Sequence, residues 1–499
     1  MQRLVPVPPA ELQRPQRGSY CLGVMSQSLT LVLQSSVSLR ATATIFVHLP
    51  RLSYDPQGDW PTAGTIQMWL LRLGLDALKQ PLEPADDWAW LADHTVQIGK
   101  TKCLLIVGVR LSKWRELGGE LTHHELSVIA LEPVEHSDGE TVHRQLNAAV
   151  HRTGVPRMIA SDHGSDLKKG IEAFGQQHPQ VASSYDIAHK VALLLKKMLE
   201  GDARWAEFTQ QCGQTKSRLQ QTSLAHLIPP SAKPKARYMN ADGQVQWGLR
   251  VLQRLDRHAT SSPNAVGEKP AGQTSSASVG SLSAEKSTNE KSVNEVPDVS
   301  RDVPLGVVNP SDTPRGETCD EAGEEESTDS LEEKLGWVRA FAGSLARWSI
   351  LMTIVAISRN FVRQQGYYTG AAEQLRRELS AHGGDEMGDQ LIDQVCCFVS
   401  AQSALAAPGE RLLGSTEILE SLIGKGKQLE GQQSKGGFTK MILSLAAATV
   451  APTVERIKTA LDRTMTKHVL DWVRTHIPRS LQAQRRADLP PLPSGTKTG

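Results

Sequence analysis

Residues 88–110 constrain this chain more than any other stretch. Trp88-Ala-Trp-Leu-Ala-Asp93-His-Thr-Val-Gln-Ile98 leads to Gly99, and Thr101-Lys-Cys-Leu-Leu-Ile-Val-Gly-Val-Arg110 follows. Two apolar runs rich in Val, Leu and Ile, separated by a glycine and charged residues, predict a hairpin of buried strands. Asp93 falls inside the first strand, where an ionised carboxylate is costly to bury. Two arrangements offset that cost. One is a basic partner, for which Lys100 and Lys102 across the turn are the nearest choices. The other is a metal ion shared with further acids.

The rest of residues 86–200 alternates strands with helices. A polar loop at 112–125 holds His123-His124-Glu125, which lacks a second ligand cluster and reads as solvated. A third strand is predicted at 126–131, a helix at 140–152, a fourth strand at 157–162, a helix at 165–174, a short strand at 181–185 and a helix at 187–200. The order is βββαβαβα, three antiparallel strands followed by parallel ones. The expected fold class is therefore α/β, with the mixed sheet of a ribonuclease-H-like domain.

Around this core, residues 1–25 are Pro- and Arg-rich at their start and are expected to be disordered. Residues 26–82 read as helical. In the last helix of that region Ile66, Trp69, Leu70 and Leu73 share one face, and Thr62 can cap its start. A helix opening with Thr65 and Gln67 after a turn suits a helix-turn-helix whose second helix enters the DNA major groove. A small helical bundle packed on the next domain fits the same pattern. Residues 201–410 read as a large helical insertion, interrupted by a disordered acidic linker at 258–330. Its Trp247, Trp337 and Trp348 suit either base stacking or an aromatic core. Closing helices are expected at 411–477 and a flexible tail at 478–499.

At 499 residues there is room for two or three domains. The net charge is +1, but residues 259–334 hold 16 acids and 6 bases, so the remainder carries about +11. That favours a polyanionic partner without specifying one. The six cysteines show no CxxC spacing, which points to a reducing compartment without zinc or disulfides. No signal-peptide apolar core or membrane span is expected, and Phe341–Ile357 reads as a buried helix.

Three acids stand in fitting contexts: Asp93, Asp162 at the end of the fourth strand, and Glu420 near a helix start. On neighbouring strands the first two would converge, and a helix returning to the sheet would deliver the third. Three carboxylates suit Mg²⁺, with Mn²⁺ as a substitute. Two such ions about 4 Å apart can drive displacement at a phosphodiester. Alternatives remain open: Asp162 as a turn or cap residue, Glu417 in place of Glu420, and Lys425 and Lys427 as an exposed basic helix end rather than phosphate contacts.

These segments resemble DDE transposases, the ribonuclease-H-like recombinases of insertion sequences. Ile159-Ala-Ser161-Asp162-His-Gly164 resembles the "SD-x-G" around the family's second acid. Tyr185-Asp186-Ile-Ala-His189-Lys190 resembles a "D-x-x-H" opening the next helix. Ser415-Thr-Glu-Ile-Leu-Glu420 resembles the "TN-x-x-E" helix of the third acid. Lys427 matches the lysine of a Y-R-E-K signature, whose tyrosine and arginine fall here at Leu413 and Thr416. The resemblance implies catalytic and metal-binding roles for Asp93, Asp162 and Glu420, with two Mg²⁺ ions. It implies DNA contact by Lys425, Lys427, His189, Lys190, Thr65 and Gln67. The implied partners are double-stranded DNA, as transposon ends and target, and a second copy of the chain in a homodimer, in the bacterial cytoplasm at the nucleoid. Two other readings stand beside this one: a nuclease on the same fold, and a non-enzymatic helix-turn-helix protein or inactive transposase copy.

Overall fold

The computed structural model describes residues 9–15, 18–48, 60–98, 101–233, 238–261, 328–431 and 439–477, with residues 485 and 488. The acidic linker expected at 258–330 lies outside these residues except at its helical ends, and the tail expected at 478–499 lies outside them almost entirely. The chain divides into two units, Met1–Leu249 with Phe341–Gly499, and Arg250–Ala340.

The larger unit begins with α1 (Pro9–Leu12), α2 (Leu22–Leu33), α3 (Leu39–His48) and α4 (Ala63–Lys79). The sheet region follows: β1 (Trp88–Ile98), β2 (Thr101–Arg110), α5 (Leu111–Glu116), β3 (Ser127–Val134), α6 (Gly139–Thr153), β4 (Met158–Ser161), α7 (Ser165–Gln177), β5 (Ala182–Tyr185) and α8 (Ile187–Gly201). Next are α9 (Ala203–Leu219) and α10 (Ala241–Ser261), whose residues from Arg250 belong to the smaller unit, as does α11 (Thr328–Leu335). The larger unit resumes with α12 (Ala342–Gln365), α13 (Ala371–Leu379), α14 (Glu386–Ser403), α15 (Glu417–Gly431), α16 (Leu443–Ala448), α17 (Val454–Arg463) and α18 (Thr466–His476).

The fold is mixed α/β. Its one sheet among the described residues has five strands in the order β3-β2-β1-β4-β5. β1 pairs antiparallel with β2, and β2 antiparallel with β3. β4 joins β1 in parallel, and β5 joins β4 in parallel. The hairpin predicted at 88–110 is present, with Asp93 opposite Leu105. Alternation along β1 sends Trp88, Trp90 and Ala92 to one face. There they pack with Val142, Leu146 and Ala149 of α6 and Leu167, Ile171 and Phe174 of α7. Ala89, Leu91 and Asp93 therefore face the opposite side.

Two sequence expectations are corrected. The polar loop expected at 112–125 contains α5 and a 3₁₀ turn at His123–Glu125. Trp114, only 2% exposed, anchors α5 despite its charged neighbours, and its Nε1 donates to the Gly119 carbonyl. The disorder expected through residue 25 does not hold for the described residues there, which include α1 at Pro9–Leu12 and the buried Cys21, Leu22, Val24 and Met25.

Thr62 caps α4, as its position predicts, accepting from the Thr65 amide at 3.2 Å. The apolar stripe is wider than its spacing implies. Every residue from Trp69 to Leu78 except Arg72 is buried. Arg72 donates to the Leu461 and Thr464 carbonyls, both at 2.6 Å, and Asp76 pairs with Arg456 at 3.1 Å. α4 packs in a helical bundle with α2, α3, α16 and α17. Outside that stretch Gly64 and Lys79 are exposed, and the Gln67 amide donates to Met441 Sδ at 3.3 Å.

The closeness of α4 and α16 depends on Gly74. A Cβ there would lie 2.0 Å from the Leu443 carbonyl oxygen, a backbone atom with no side chain to move aside. Gly74→Ala is expected to destabilise the protein by about 2–4 kcal/mol, read as a lowered urea midpoint. An unchanged midpoint would show that the two helices separate freely.

The helical run Leu331–Gln365 is long and apolar enough to cross a membrane by length and composition. Within it, α12 packs against α8 and α14 and buries Leu345, Trp348, Leu351, Ile354 and Val355. The tryptophans left open between stacking and core divide accordingly. Trp348 is fully buried, donates to Asp202 Oδ2 at 2.9 Å, and meets Trp205 edge-on at 5.0 Å. Trp247 packs on Phe208 and donates to the Leu227 carbonyl. Both are aromatic core. Trp337, in the smaller unit, is half-buried.

Candidate active site

Parallel pairing sets the level of the acids. Leu91 pairs with Ala160, and Ala160 pairs with Ser184. Asp93 lies two residues further along β1, and Asp162 and Asp186 directly follow the last residues of β4 and β5. Period-two alternation directs Asp93 to the sheet face opposite α6 and α7. That face also receives α15, which packs against β1 and carries Glu420 in its first turn.

Asp93 is mostly buried, and its carboxyl is pushed up to about 7. Burial is the main cause, the negative charge of Asp162 comes next, and Glu420 adds in the same direction. The His94 amide, which donates to Asp93 Oδ1 at 2.6 Å, and the positive charge of Lys427 pull the other way. The three acids singled out in the sequence thus share one electrostatic environment, with Lys427 two turns beyond Glu420 on α15. Among the described residues, however, no three His, Cys, Asp or Glu side chains are gathered closely enough to hold a metal ion together. The carboxylates act on one another through their charges without closing around a common point.

The alternatives for each acid are now separable. Lys102 does not serve Asp93. It donates to Asp166 Oδ2 at 2.8 Å, on the other face of the sheet. The same oxygen accepts from Ser137 Oγ at 3.1 Å, and Ser137 Oγ lies 3.1 Å from His94 Nε2. Lys100 lies outside the described residues. Asp162 does make a turn, with Oδ1 accepting from the Gly164 amide at 2.9 Å. His163 between them has φ +55°, a left-handed conformation uncommon for a side chain of its size. Its ring stacks flat on Tyr185 at 4.6 Å. Glu417 turns away toward α12, pairing with Arg359 at 3.4 Å and Arg363 at 4.0 Å. Glu417 and both arginines line a cavity of about 510 Å³ with Trp114, Thr122 and Ser421, and none of the three acids lines it.

The expected DNA-contacting residues are scattered around this centre. Lys425 is half-buried, and burial lowers its pKa. Its charge reaches His123, whose Nε2 lies 3.2 Å from Ser421 Oγ, so the turn touches α15 at His123 while His124 is exposed as expected. Lys190 Nζ sits 5.4 Å from the Phe398 ring centre, and the His189 ring tilts against Tyr185 at 5.7 Å. Thr65 and Gln67 lie in the separate α4 bundle.

The sequence offers Asp186, with His189, as a group that supports the ligands or faces DNA rather than as a ligand. Asp186 is fully buried and caps α8, accepting from the His189 amide at 2.8 Å. What the sequence missed is its bond to the Thr416 amide, which no local signal marks. The Lys102–Asp166–Ser137–His94 network was also missed, because its members lie on four separate segments.

Compared with protein-family models and with curated proteins, the chain matches none.

Proposed function

We propose that the chain is a DDE-type DNA transposase, built on a ribonuclease-H-like sheet and acting by metal-dependent phosphoryl transfer on DNA. One observation carries this reading. Asp93 on β1 and Asp162, just past the end of the neighbouring parallel strand β4, lie close enough that the charges of Asp162 and Glu420 both raise the Asp93 carboxyl. The strand order β3-β2-β1-β4-β5, with its antiparallel hairpins and two parallel additions, supports the ribonuclease-H-like assignment.

The donor set fits hard divalent ions, Mg²⁺ or Mn²⁺. Three carboxylates sharing one environment repel one another, and burial first and that repulsion second raise the Asp93 carboxyl. Asp93, Asp162 and Glu420 would hold the ions. When bound, such ions activate an attacking oxygen and neutralise charge at the scissile phosphorus. The residues contribute the rest. Asp93 gives up its proton near neutrality, and Lys427 favours the anionic form. Rigid β1 and β4 fix two carboxylates, while α15 fixes the third. Lys425, Lys427, Lys190 and His189 border the DNA path, and Thr65 and Gln67 contribute from the α4 bundle. In the first step a water oxygen bonds to phosphorus and the bond to the leaving 3′ oxygen breaks, freeing a 3′-OH. In the second that 3′-OH attacks a target phosphodiester, joining to its phosphorus as the target's own 3′ oxygen leaves. Both are in-line displacements, and a homodimer would hold the two ends together.

The test supplies pre-cut ends of the DNA flanking this coding sequence, a plasmid target and Mg²⁺. Joined products are expected. Cut but unjoined products would favour a nuclease on the same fold. Bound DNA with no chemistry would favour a DNA-binding protein or an inactive copy.

A further inference from the structure

We infer that Asp186 is a positioning residue, whose buried carboxylate clamps the segment leading into α15 to the end of the sheet and so sets where Glu420 stands. The inference rests on the proposed metal-binding role of Glu420. Asp186 touches both strands of that problem. Its amide donates to the Ser161 carbonyl at 3.1 Å, one residue before Asp162. Its Oδ1 accepts from the Thr416 amide at 2.9 Å. The Thr416 carbonyl in turn accepts from the Glu420 amide at 3.1 Å, which is the first bond of the helix that carries the acid. One residue therefore links the backbone beside the second acid, through its own amide, to the backbone beneath the third, through its carboxylate.

Neighbouring bonds make the segment a fixed strap. The Ile187 amide donates to the Gly414 carbonyl at 3.0 Å, and Ser184 Oγ donates to the Leu413 carbonyl at 3.2 Å. Leu412 exchanges both backbone bonds with Tyr367, whose hydroxyl donates to the Tyr185 carbonyl at 3.0 Å. Gly414 allows the close approach: a Cβ there would lie 2.3 Å from Val362 Cγ1.

A carboxylate is required because both oxygens accept backbone N–H groups, Oδ2 from His189 and Oδ1 from Thr416. An asparagine amide has one such acceptor, and its NH₂ would face an N–H. Asn remains a good helix N-cap, so Asp186→Asn keeps α8 capped while releasing Thr416. That separates positioning of α15 from capping of α8.

The test measures Mn²⁺ binding to the full chain without DNA, by electron paramagnetic resonance, with thermal melting as a folding check. Asp186→Asn is expected to weaken Mn²⁺ about tenfold, the scale seen when groups that orient metal ligands are lost. Glu420→Gln also weakens it, and the double variant should bind no more weakly than Glu420→Gln alone, since Asp186 acts through Glu420. Should Asp186→Asn fail to fold, Ser184→Ala removes only the bond to Leu413 and should weaken Mn²⁺ about threefold. Unchanged affinity in the folded variant, or additive losses in the double variant, would overturn the inference while leaving the metal site standing. Absence of Mn²⁺ binding to the wild-type chain would instead remove the metal-site reading, and this inference with it.

Discussion

Asp93→Asn, Asp162→Asn and Glu420→Gln are each expected to lower DNA cleavage by at least about 10²–10³-fold, while DNA binding in a gel-shift assay persists. The size of the loss follows from how few charges the proposed site holds. Each carboxylate is one of three that together would neutralise the ions, and removing one leaves no neighbour able to replace it. Glu417, the nearest acid on the same helix, is committed to Arg359 and Arg363. Glu417→Gln should therefore keep cleavage, and this contrast guards against a general effect of removing charge from α15. If Glu417→Gln were inactive and Glu420→Gln active, the third acid would have to be reassigned.

The second large effect is on stability. Folding raises the Asp93 carboxyl from an ordinary 3.8 to about 7. Between those values the folded chain holds a proton that the unfolded chain has released. Stability from this group is thus greatest at acidic pH, declines as pH rises through the window from about 4 to 7, and is level above it. The full loss is on the order of 4 kcal/mol, one pKa unit being worth about 1.4 kcal/mol. Asp93→Asn removes the dependence. In EDTA the variant should be more stable than wild type by about 2–4 kcal/mol at pH 8 and nearly equal at pH 4. Urea unfolding at the two pH values checks this. Equal stability of the two proteins at both would mean that Asp93 ionises in the folded chain as readily as in water. Mg²⁺ should narrow the difference at pH 8, because a cation that binds the folded anionic form stabilises it by mass action.

Much of the sheet was legible because it depends on local signals. Apolar runs rich in Val, Leu and Ile marked β1 and β2, Asp138 and Asp186 stood where helices begin, and the strand expected to end at Asp162 is bounded by Pro156 and Gly164. The parallel placement of β4 beside β1 followed from the helix between β3 and β4, which is long enough to cross over.

What was not legible depends on chain segments far apart in sequence. The stripe on α4 showed one buried face. Its second became buried because α16 and α17 return to it, and only Gly74 hinted at that approach. Lys102 could pair on either face of the hairpin by spacing alone. It reaches Asp166 because alternation carries it toward α7. Glu417 and Glu420 lie one helical turn apart with similar neighbours, and the two arginines of α12 that distinguish them come from the insertion. The role of Asp186 needed the strap at 412–416, whose bonds to β5 and α8 have no signature in composition or periodicity.

The most direct measurement incubates the purified chain with DNA from its own flanks and Mg²⁺, and maps the ends produced. The account predicts 3′-OH ends at the element boundary with the wild-type chain and none with Asp162→Asn. DNA bound but left uncut in both Mg²⁺ and Mn²⁺, or cut equally well by Asp162→Asn, would contradict it.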